Sequence, residues 1–65
     1  MNAIAPLTLA ETIVVGLLAE YGWSNIEMAE HLHVSRRTIE SHISDALSKT
    51  QTKNRVQLVL WFQKN

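Results

Sequence analysis

The sequence of 65 residues contains no cysteine, one proline and two glycines. Without cysteine, neither disulfides nor a thiolate zinc site can stabilise so short a chain. Because proline and glycine are scarce and the hydrophobic content is 46%, the composition excludes a disordered segment and favours a helical globular domain. We expect a single domain over residues 1–65, stabilised by a packed helical core and aided by self-association.

Long apolar runs are also absent. The two longest, residues 13–19 and 56–62, are too short to cross a bilayer. No basic, then apolar, then small-residue pattern marks a signal peptide. We therefore expect a cytoplasmic protein with no membrane partner.

Basic residues are missing from the sequence before His31, where four glutamates occur. From His31 onward, six basic residues are opposed only by Glu40 and Asp45, so this half carries six minus two, or +4. The formal net charge of zero argues against a nucleic-acid partner, because phosphate neutralisation supplies most of the affinity. The uneven distribution favours one, since it is sufficient for a basic face.

Capping motifs and helical periodicity predict four helices, at about residues 8–20, 25–32, 36–49 and 53–63. Thr8 with Glu11 and Ser24 with Glu27 have the spacing of capping boxes, in which each side chain satisfies a backbone N–H of the other. Ser35 can cap the third helix. These polar residues therefore mark three of the four helix starts.

The apolar spacing assigns each helix a buried face. For the first three helices the predicted faces are Ile13, Val14, Leu17 and Leu18; Ile26 or Met28 with Ala29 and Leu32; and Ile39, Ile43, Ala46 and Leu47. In the fourth helix, Val56, Val59, Leu60 and also Leu58 are directed towards apolar partners, and of these the core can use Val56, Val59 and Leu60. Gly22 suits a left-handed residue at the end of the first helix. Gly16, inside that helix, costs about 1 kcal/mol relative to Ala, and the sequence offers no reason for it.

The third helix has a polar face opposite its apolar one, formed by Arg37, Ser41, Ser44 and Ser48. A short helix, a tight turn and a second helix with a small, polar outer face are what a DNA-reading helix-turn-helix requires. Large apolar side chains would hinder entry into a major groove about 12 Å wide. A helical bundle with a tight corner and no DNA-binding role is the structural alternative that this pattern leaves open.

An ordered set of positions extends along nearly the whole chain. It comprises Leu7-Thr8 with Glu11, Leu17-Leu18-Ala19, Gly22, Ser24-Asn25, Glu27-Met28-Ala29, Leu32, Val34-Ser35, Thr38-Ile39, His42, Lys49 and Asn54-Arg55. Over about residues 7–62 the chain resembles the DNA-binding domain of LuxR/GerE-type transcription regulators. The resemblance implies an all-α, four-helix helix-turn-helix domain with the third helix in the major groove and the fourth at a two-fold dimer contact. We expect a free-standing regulator, bacterial or phage-like.

The resemblance also implies which residues contact double-stranded DNA. Base contacts fall on Glu40, Ser41 and Ser44, and Arg37 either reads a base or binds a phosphate. Alternatively, Glu40 is a solvated carboxylate repelled by phosphates, and Arg55 ties the fourth helix to the core. The residues expected to contact phosphates are Ser24, Ser35, Arg36, Thr38, Lys49, Lys53 and Arg55.

Two departures from the family pattern remove cations. Leu9-Ala10 stands where the family usually has Pro-Arg, and Ile26 stands where it usually has Lys. Each missing cation can remove a phosphate contact, so we expect weaker or more salt-sensitive DNA binding than in a typical member.

The fourth helix is apolar nearly all round and must therefore bury more than one face. With Val56 and Val59 in the core, Leu58, Trp61 and Phe62 remain for a homodimer contact, although Trp61 and Phe62 can instead close the bottom of the monomer core. The resemblance favours the dimer. The rival hypothesis is a small protein-binding regulator, an anti-activator or co-regulator, that pairs with a larger relative or another transcription regulator through this helix.

Neither a metal site nor a catalytic site is predicted. No thiolate accompanies His31, His33 and His42, and their spacing does not indicate a metal site. No Gly-x-Ser-x-Gly elbow is present, and a domain this small lacks a deep pocket. We therefore expect no enzymatic activity, metal or cofactor.

Overall fold

The computed structural model describes residues 6–64, which form four helices and no strand. The helices are α1 (Leu9–Tyr21), α2 (Asn25–Leu32), α3 (Arg36–Thr50) and α4 (Arg55–Lys64). The predicted all-α, four-helix class is confirmed. Within the described range, no helix combines the length and apolar character needed to cross a membrane.

The predicted caps begin the first three helices. Thr8 Oγ1 accepts from the Glu11 backbone N–H at 3.1 Å, and Glu11 Oε1 accepts from the Thr8 N–H at 2.9 Å. The same exchange joins Ser24 and Glu27, at 3.1 and 2.8 Å, and Ser35 Oγ accepts from the Thr38 N–H at 3.0 Å. Because each bond spans three residues, these helix starts are fixed locally.

Helices α1, α2 and α3 each end at a left-handed residue: Gly22 at φ 66°, His33 at φ 58° and Gln51 at φ 57°. Glycine adopts this backbone without steric cost, as predicted for Gly22, whereas His33 and Gln51 carry a Cβ that disfavours it. At His33 the left-handed residue turns the chain between α2 and α3, the two helices of the helix-turn-helix.

The core lies where α1 packs against α3 and α4, with α2 covering α3. Its buried side chains are Val14, Val15, Leu18, Met28, Ala29, Ile39, Ile43, Ala46 and Leu58. One expectation is corrected: Ile13 is 43% exposed while Val15 is fully buried, so the core face of α1 is rotated from the predicted one. In α2 the prediction left Ile26 and Met28 as alternatives, and the structure buries Met28 and leaves Ile26 51% exposed.

Helix α4 is rotated relative to the prediction. Leu58 is fully buried, whereas Val56 and Leu60, expected in the core, are 69% and 51% exposed. Val56 and Leu60 lie one turn apart on one side of α4, and Leu58 lies on the other, so both sides cannot face α1 and α3 at once. Three residues before Leu58, Arg55 joins α4 to α2, because its Nη1 donates to Asn25 Oδ1 at 2.7 Å.

Gly16 faces the ring of Phe62. A Cβ added at Gly16 would lie 3.7 Å from Cζ and 4.0 Å from Cε2 of Phe62. These are ordinary van der Waals distances, so packing of α4 on α1 does not require a glycine here.

Candidate nucleic-acid interface

The four residues predicted to contact bases lie on the solvent side of α3. Arg37, Glu40, Ser41 and Ser44 are all exposed, while Ile39, Ile43 and Ala46 on the opposite side are buried. Arg37, Glu40 and Ser41 also line one shallow depression. The structure therefore brings these candidates together on one polar helix face.

A second depression groups several residues predicted to contact phosphates. Ser24 at the start of α2, Arg36 at the start of α3 and Arg55 at the start of α4 line it, together with Glu40. Two of its members are cations contributed by different helices. Tertiary packing thus gathers candidates that are distant in sequence beside the outer face of α3.

Arg55 has a structural partner within this depression. Its guanidinium donates to the Asn25 carboxamide, and Arg55 is only half exposed. This geometry agrees with the alternative interpretation of Arg55 as a tie between α4 and the rest of the domain. Its position on the depression leaves the phosphate role open as well.

Lys49 is held by a buried carboxylate. Its Nζ donates to Glu11 Oε1 at 2.8 Å, and the Glu11 side chain is only 5% exposed. Burial would raise the pKa of Glu11, but the hydrogen bond and charge of Lys49 and the Thr8 N–H hold that pKa below its ordinary value. The structure thus gives Lys49, predicted to bind phosphate, a partner within the protein. Removing Lys49 would take away the cation that pairs with the buried Glu11 carboxylate.

Arg36 forms an ion pair along α3. Its Nε lies 3.5 Å from Glu40 Oε2, and the two side chains are 63% and 54% exposed. Pairs of this kind contribute only about 0.3–0.5 kcal/mol, so the pair holds Arg36 weakly. The prediction missed this contact, although the spacing of four residues in a helix is its ordinary signal.

The remaining phosphate candidates differ in how free their side chains are. Ser35 Oγ lies 2.9 Å from Thr38 Oγ1 in addition to capping α3. Lys53 is exposed, and its backbone N–H donates to Gln57 Oε1. The Ser35 and Thr38 hydroxyls are thus engaged in the cap, while the Lys53 ammonium projects from the surface before α4.

Comparison with known proteins decides the family. Residues 5–62 match the GerE family, described as bacterial regulatory proteins of the luxR family. The chain belongs to the LuxR/GerE family. Its curated relatives include the response regulator protein VraR from Staphylococcus aureus (strain Mu3), Staphylococcus saprophyticus and Staphylococcus epidermidis. No solved structure matches the chain.

The alignment with these relatives includes nearly all of this chain but only a small part of each relative. Each VraR sequence is 38% identical over 60 residues, which is 91% of this chain and 28% of the relative. The chain therefore spans little more than a quarter of the length of the curated relatives it matches. The shared part is the helix-turn-helix domain described above.

One departure from the LuxR/GerE pattern is visible at the interface. Ile26, in the position where the resemblance predicts a lysine, is 51% exposed and borders the depression with Ser24, Arg36 and Arg55. An apolar side chain thus occupies a surface position beside the phosphate candidates.

The residues predicted for a LuxR/GerE-type dimer contact are largely turned inward. Leu58 is fully buried in the monomer. Its predicted place in the dimer contact is therefore corrected, because it has no exposed surface for a partner. Trp61 and Phe62 are half-buried, and Phe62 packs on the core. The apolar surface of α4 lies instead at Val56 and Leu60, which sequence reasoning had placed in the core.

An apolar groove adjoins this surface of α4. It is lined by Leu18, Gly22, Arg55, Val56, Val59 and Leu60. The spacing of four residues, visible in the sequence, places Val56 and Leu60 on one side of α4. Only the structure shows that this side is exposed, because it places Leu58 in the core.

The histidines do not come together. His31 on α2 contacts the Trp23 ring at a centroid distance of 4.9 Å, and Trp23 in turn stacks on Tyr21 at 4.7 Å. His33 ends α2, and His42 is half-buried on α3. Within residues 6–64, no three histidine, aspartate or glutamate side chains form a group that could hold a metal ion.

Proposed function

We propose that this domain binds double-stranded DNA as part of a sequence-specific transcription regulator, with α3 in the major groove. The observation that carries the proposal is the outer face of α3, where Arg37, Ser41 and Ser44 are exposed and no large apolar side chain of that helix is. Small hydroxyl side chains fit the groove and pair with most base edges. Membership of the LuxR/GerE family supports the same function.

We propose that residues around the outer face of α3 contact the phosphates of the DNA. Arg36, Arg37 and Lys53 supply exposed cations, and Arg55 lines the depression shared with Ser24. Ser24, Ser35 and Thr38 lie at helix starts, where backbone N–H groups favour anions, and their hydroxyls cap α2 and α3. Lys49 is left out of this set because Glu11 holds its ammonium group.

The dimer contact is proposed on the exposed side of α4, at Val56 and Leu60. A two-fold axis along this side would pair the apolar grooves of two copies and present two α3 helices to one side of the duplex. The preferred DNA is then an inverted repeat with half-sites about one helical turn apart.

Two observations favour a second candidate, a regulator that acts by binding another protein. Formal net charge is zero, and Val56 and Leu60 expose apolar surface beside a groove. In this alternative, α4 pairs with a longer family member and contact with DNA is secondary.

A DNA-binding titration tests the leading proposal. Duplexes selected by the wild-type protein from a random pool are titrated by fluorescence anisotropy at about 50 and about 200 mM salt, because phosphate contacts weaken steeply over this range. Lys53→Ala should weaken binding to all duplexes, whereas Ser41→Ala should change the preferred sequence with little effect on the salt slope.

Lys64→Ala is the matched control, since it removes an exposed cation at the far end of α4 and should leave affinity unchanged. If the wild-type protein binds no duplex even at low salt, the DNA proposal is wrong. If Leu60→Glu then abolishes a complex with a longer family member, the protein-binding alternative replaces it.

A further inference from the structure

Glu40 stands between two groups of DNA-contact candidates. Its side chain lines the depression with Arg37 and Ser41 and also the depression with Ser24, Arg36 and Arg55. Its carboxylate pairs with Arg36 at 3.5 Å, and both side chains are more than half exposed. The pair lies within one helix, so it can open without any change in the fold.

A carboxylate in this position opposes binding to any duplex. It repels the phosphates, and in the free protein it occupies the cation that would otherwise contact one. Breaking the pair costs the same for every DNA sequence. A phosphate contact of Arg36 offsets part of this cost on any duplex, and the cost is offset more fully where the DNA also offers Glu40 a hydrogen-bond donor. In the major groove a carboxylate finds that donor in the amino group of cytosine.

On the basis of the proposed DNA-binding function, we propose that the Arg36–Glu40 ion pair is a specificity device linking base reading to backbone contact. On a duplex without a cytosine near Glu40, the pair competes with the phosphates for Arg36 and reduces its contribution about twofold. On a half-site with a C·G pair facing the N-terminal half of α3, Glu40 accepts from the cytosine amino group and Arg36 moves to a phosphate. Discrimination thus arises from a penalty on wrong sequences as well as from attraction to the right one.

A double-mutant cycle tests this coupling. Arg36→Ala, Glu40→Gln and the double variant are titrated on a duplex selected by the wild-type protein and on a duplex of unrelated sequence. On the unrelated duplex, Arg36→Ala should change affinity less than about twofold in the wild-type background. In the Glu40→Gln background the same substitution should weaken affinity about twofold more than it does in the wild-type background, because Arg36 is then free to contact a phosphate and an exposed pair of this kind withholds no more than that.

Glu40→Gln alone should show both parts of the device. On the unrelated duplex it should steepen the dependence of log affinity on log salt by about one. On the selected duplex it should weaken binding about tenfold and relax the preference for the C·G pair. The ratio of specific to non-specific affinity should therefore fall.

Asp45→Asn is the matched control, since it removes the same charge from another exposed position of α3. It should not change the effect of Arg36→Ala. If the wild-type protein binds DNA and Arg36→Ala has the same effect on the unrelated duplex in the wild-type and Glu40→Gln backgrounds, the coupling is overturned and the DNA-binding function stands. If the wild-type protein binds no duplex, both are overturned.

Discussion

The contact between Lys49 and Glu11 joins the C-terminal turn of α3 to the first turn of α1. Glu11 Oε1 accepts from both the Lys49 ammonium and the Thr8 N–H, so one carboxylate caps α1 and holds α3. Surface ion pairs contribute little, but this carboxylate is almost completely buried. Loss of its cation would leave a largely buried charge with only the groups of Thr8 as partners.

Lys49→Met should therefore destabilise the domain by about 3 kcal/mol. The measurement is urea unfolding at neutral pH followed by circular dichroism. Lys53→Met, which removes an exposed lysine, is the control and should change the unfolding free energy by less than about 0.5 kcal/mol. Equal effects of the two substitutions would show that the buried pair adds no more to the unfolding free energy than an exposed lysine does.

Acid should weaken the wild-type domain through the same carboxylate. Because folding lowers the pKa of Glu11, its contribution is fully present above the unfolded-state pKa of about 4.3 and is lost as the pH falls through the lower folded-state pKa. Urea titrations from neutral pH down to about pH 3 should show this loss. Glu11→Gln should remove that part of the pH dependence, and an unchanged profile in this variant would contradict the assignment.

At the scale of the element, local sequence signals predicted where a helix begins better than they predicted which of its faces is buried. Capping boxes act over three residues, so Thr8 with Glu11 and Ser24 with Glu27 could be recognised directly. Apolar periodicity was ambiguous where a helix is apolar on several sides. Within α1 the core includes Val15 and not Ile13, and within α4 it includes Leu58 and not Val56.

The two glycines of the α1 region allow a matched test. Gly16→Ala should stabilise the domain by about 1 kcal/mol, because alanine favours a helix interior and its Cβ meets Phe62 at an ordinary distance. Gly22→Ala should destabilise it by about 1 kcal/mol, because φ is 66° there. No atom lies within 4 Å of a Cβ added at Gly22, so the penalty is one of backbone conformation.

Thermal and urea unfolding of the two variants provide the measurement. Opposite signs for the same substitution are the expected result. A loss of stability in Gly16→Ala would mean that α1 and α4 approach each other more closely than these distances indicate.

At the scale of the whole molecule, charge and apolar surface are unevenly placed. The acidic residues before His31 belong to α1 and α2, whereas Arg36, Arg37, Lys53 and Arg55 lie on or next to the start of α3 or α4. Lys49 is paired with Glu11, and Arg36 is paired with Glu40. A chain of zero formal charge can thus still place cations at the starts of α3 and α4, where the proposed phosphate contacts lie.

Assembly is tested by an apolar-to-charged substitution on α4. Leu60→Glu should halve the molecular mass measured by light scattering, because a carboxylate on the proposed contact must be desolvated in the dimer. It should leave the helical circular-dichroism signal intact, since Leu60 is 51% exposed in the monomer.

Ile13→Glu is the control, as Ile13 is 43% exposed on α1 and lies outside the proposed contact. Its mass should equal that of the wild-type protein. If the wild-type protein has the mass of one chain when alone and binds inverted-repeat DNA as one chain per duplex, the dimer is ruled out. Leu58 is unsuitable as a probe, because truncating so buried a leucine costs about 2–5 kcal/mol of stability.

The sequence by itself determined the all-α class, the starts of α1, α2 and α3 and the polar outer face of α3, because caps and periodicity depend on residues three or four positions apart. Only the tertiary structure decided which side of α4 is free and which cations are already engaged. Lys49 and Glu11 are 38 residues apart, and Arg55 and Asn25 are 30 apart. Contacts over such separations depend on how complete helices pack, and no local pattern specifies them.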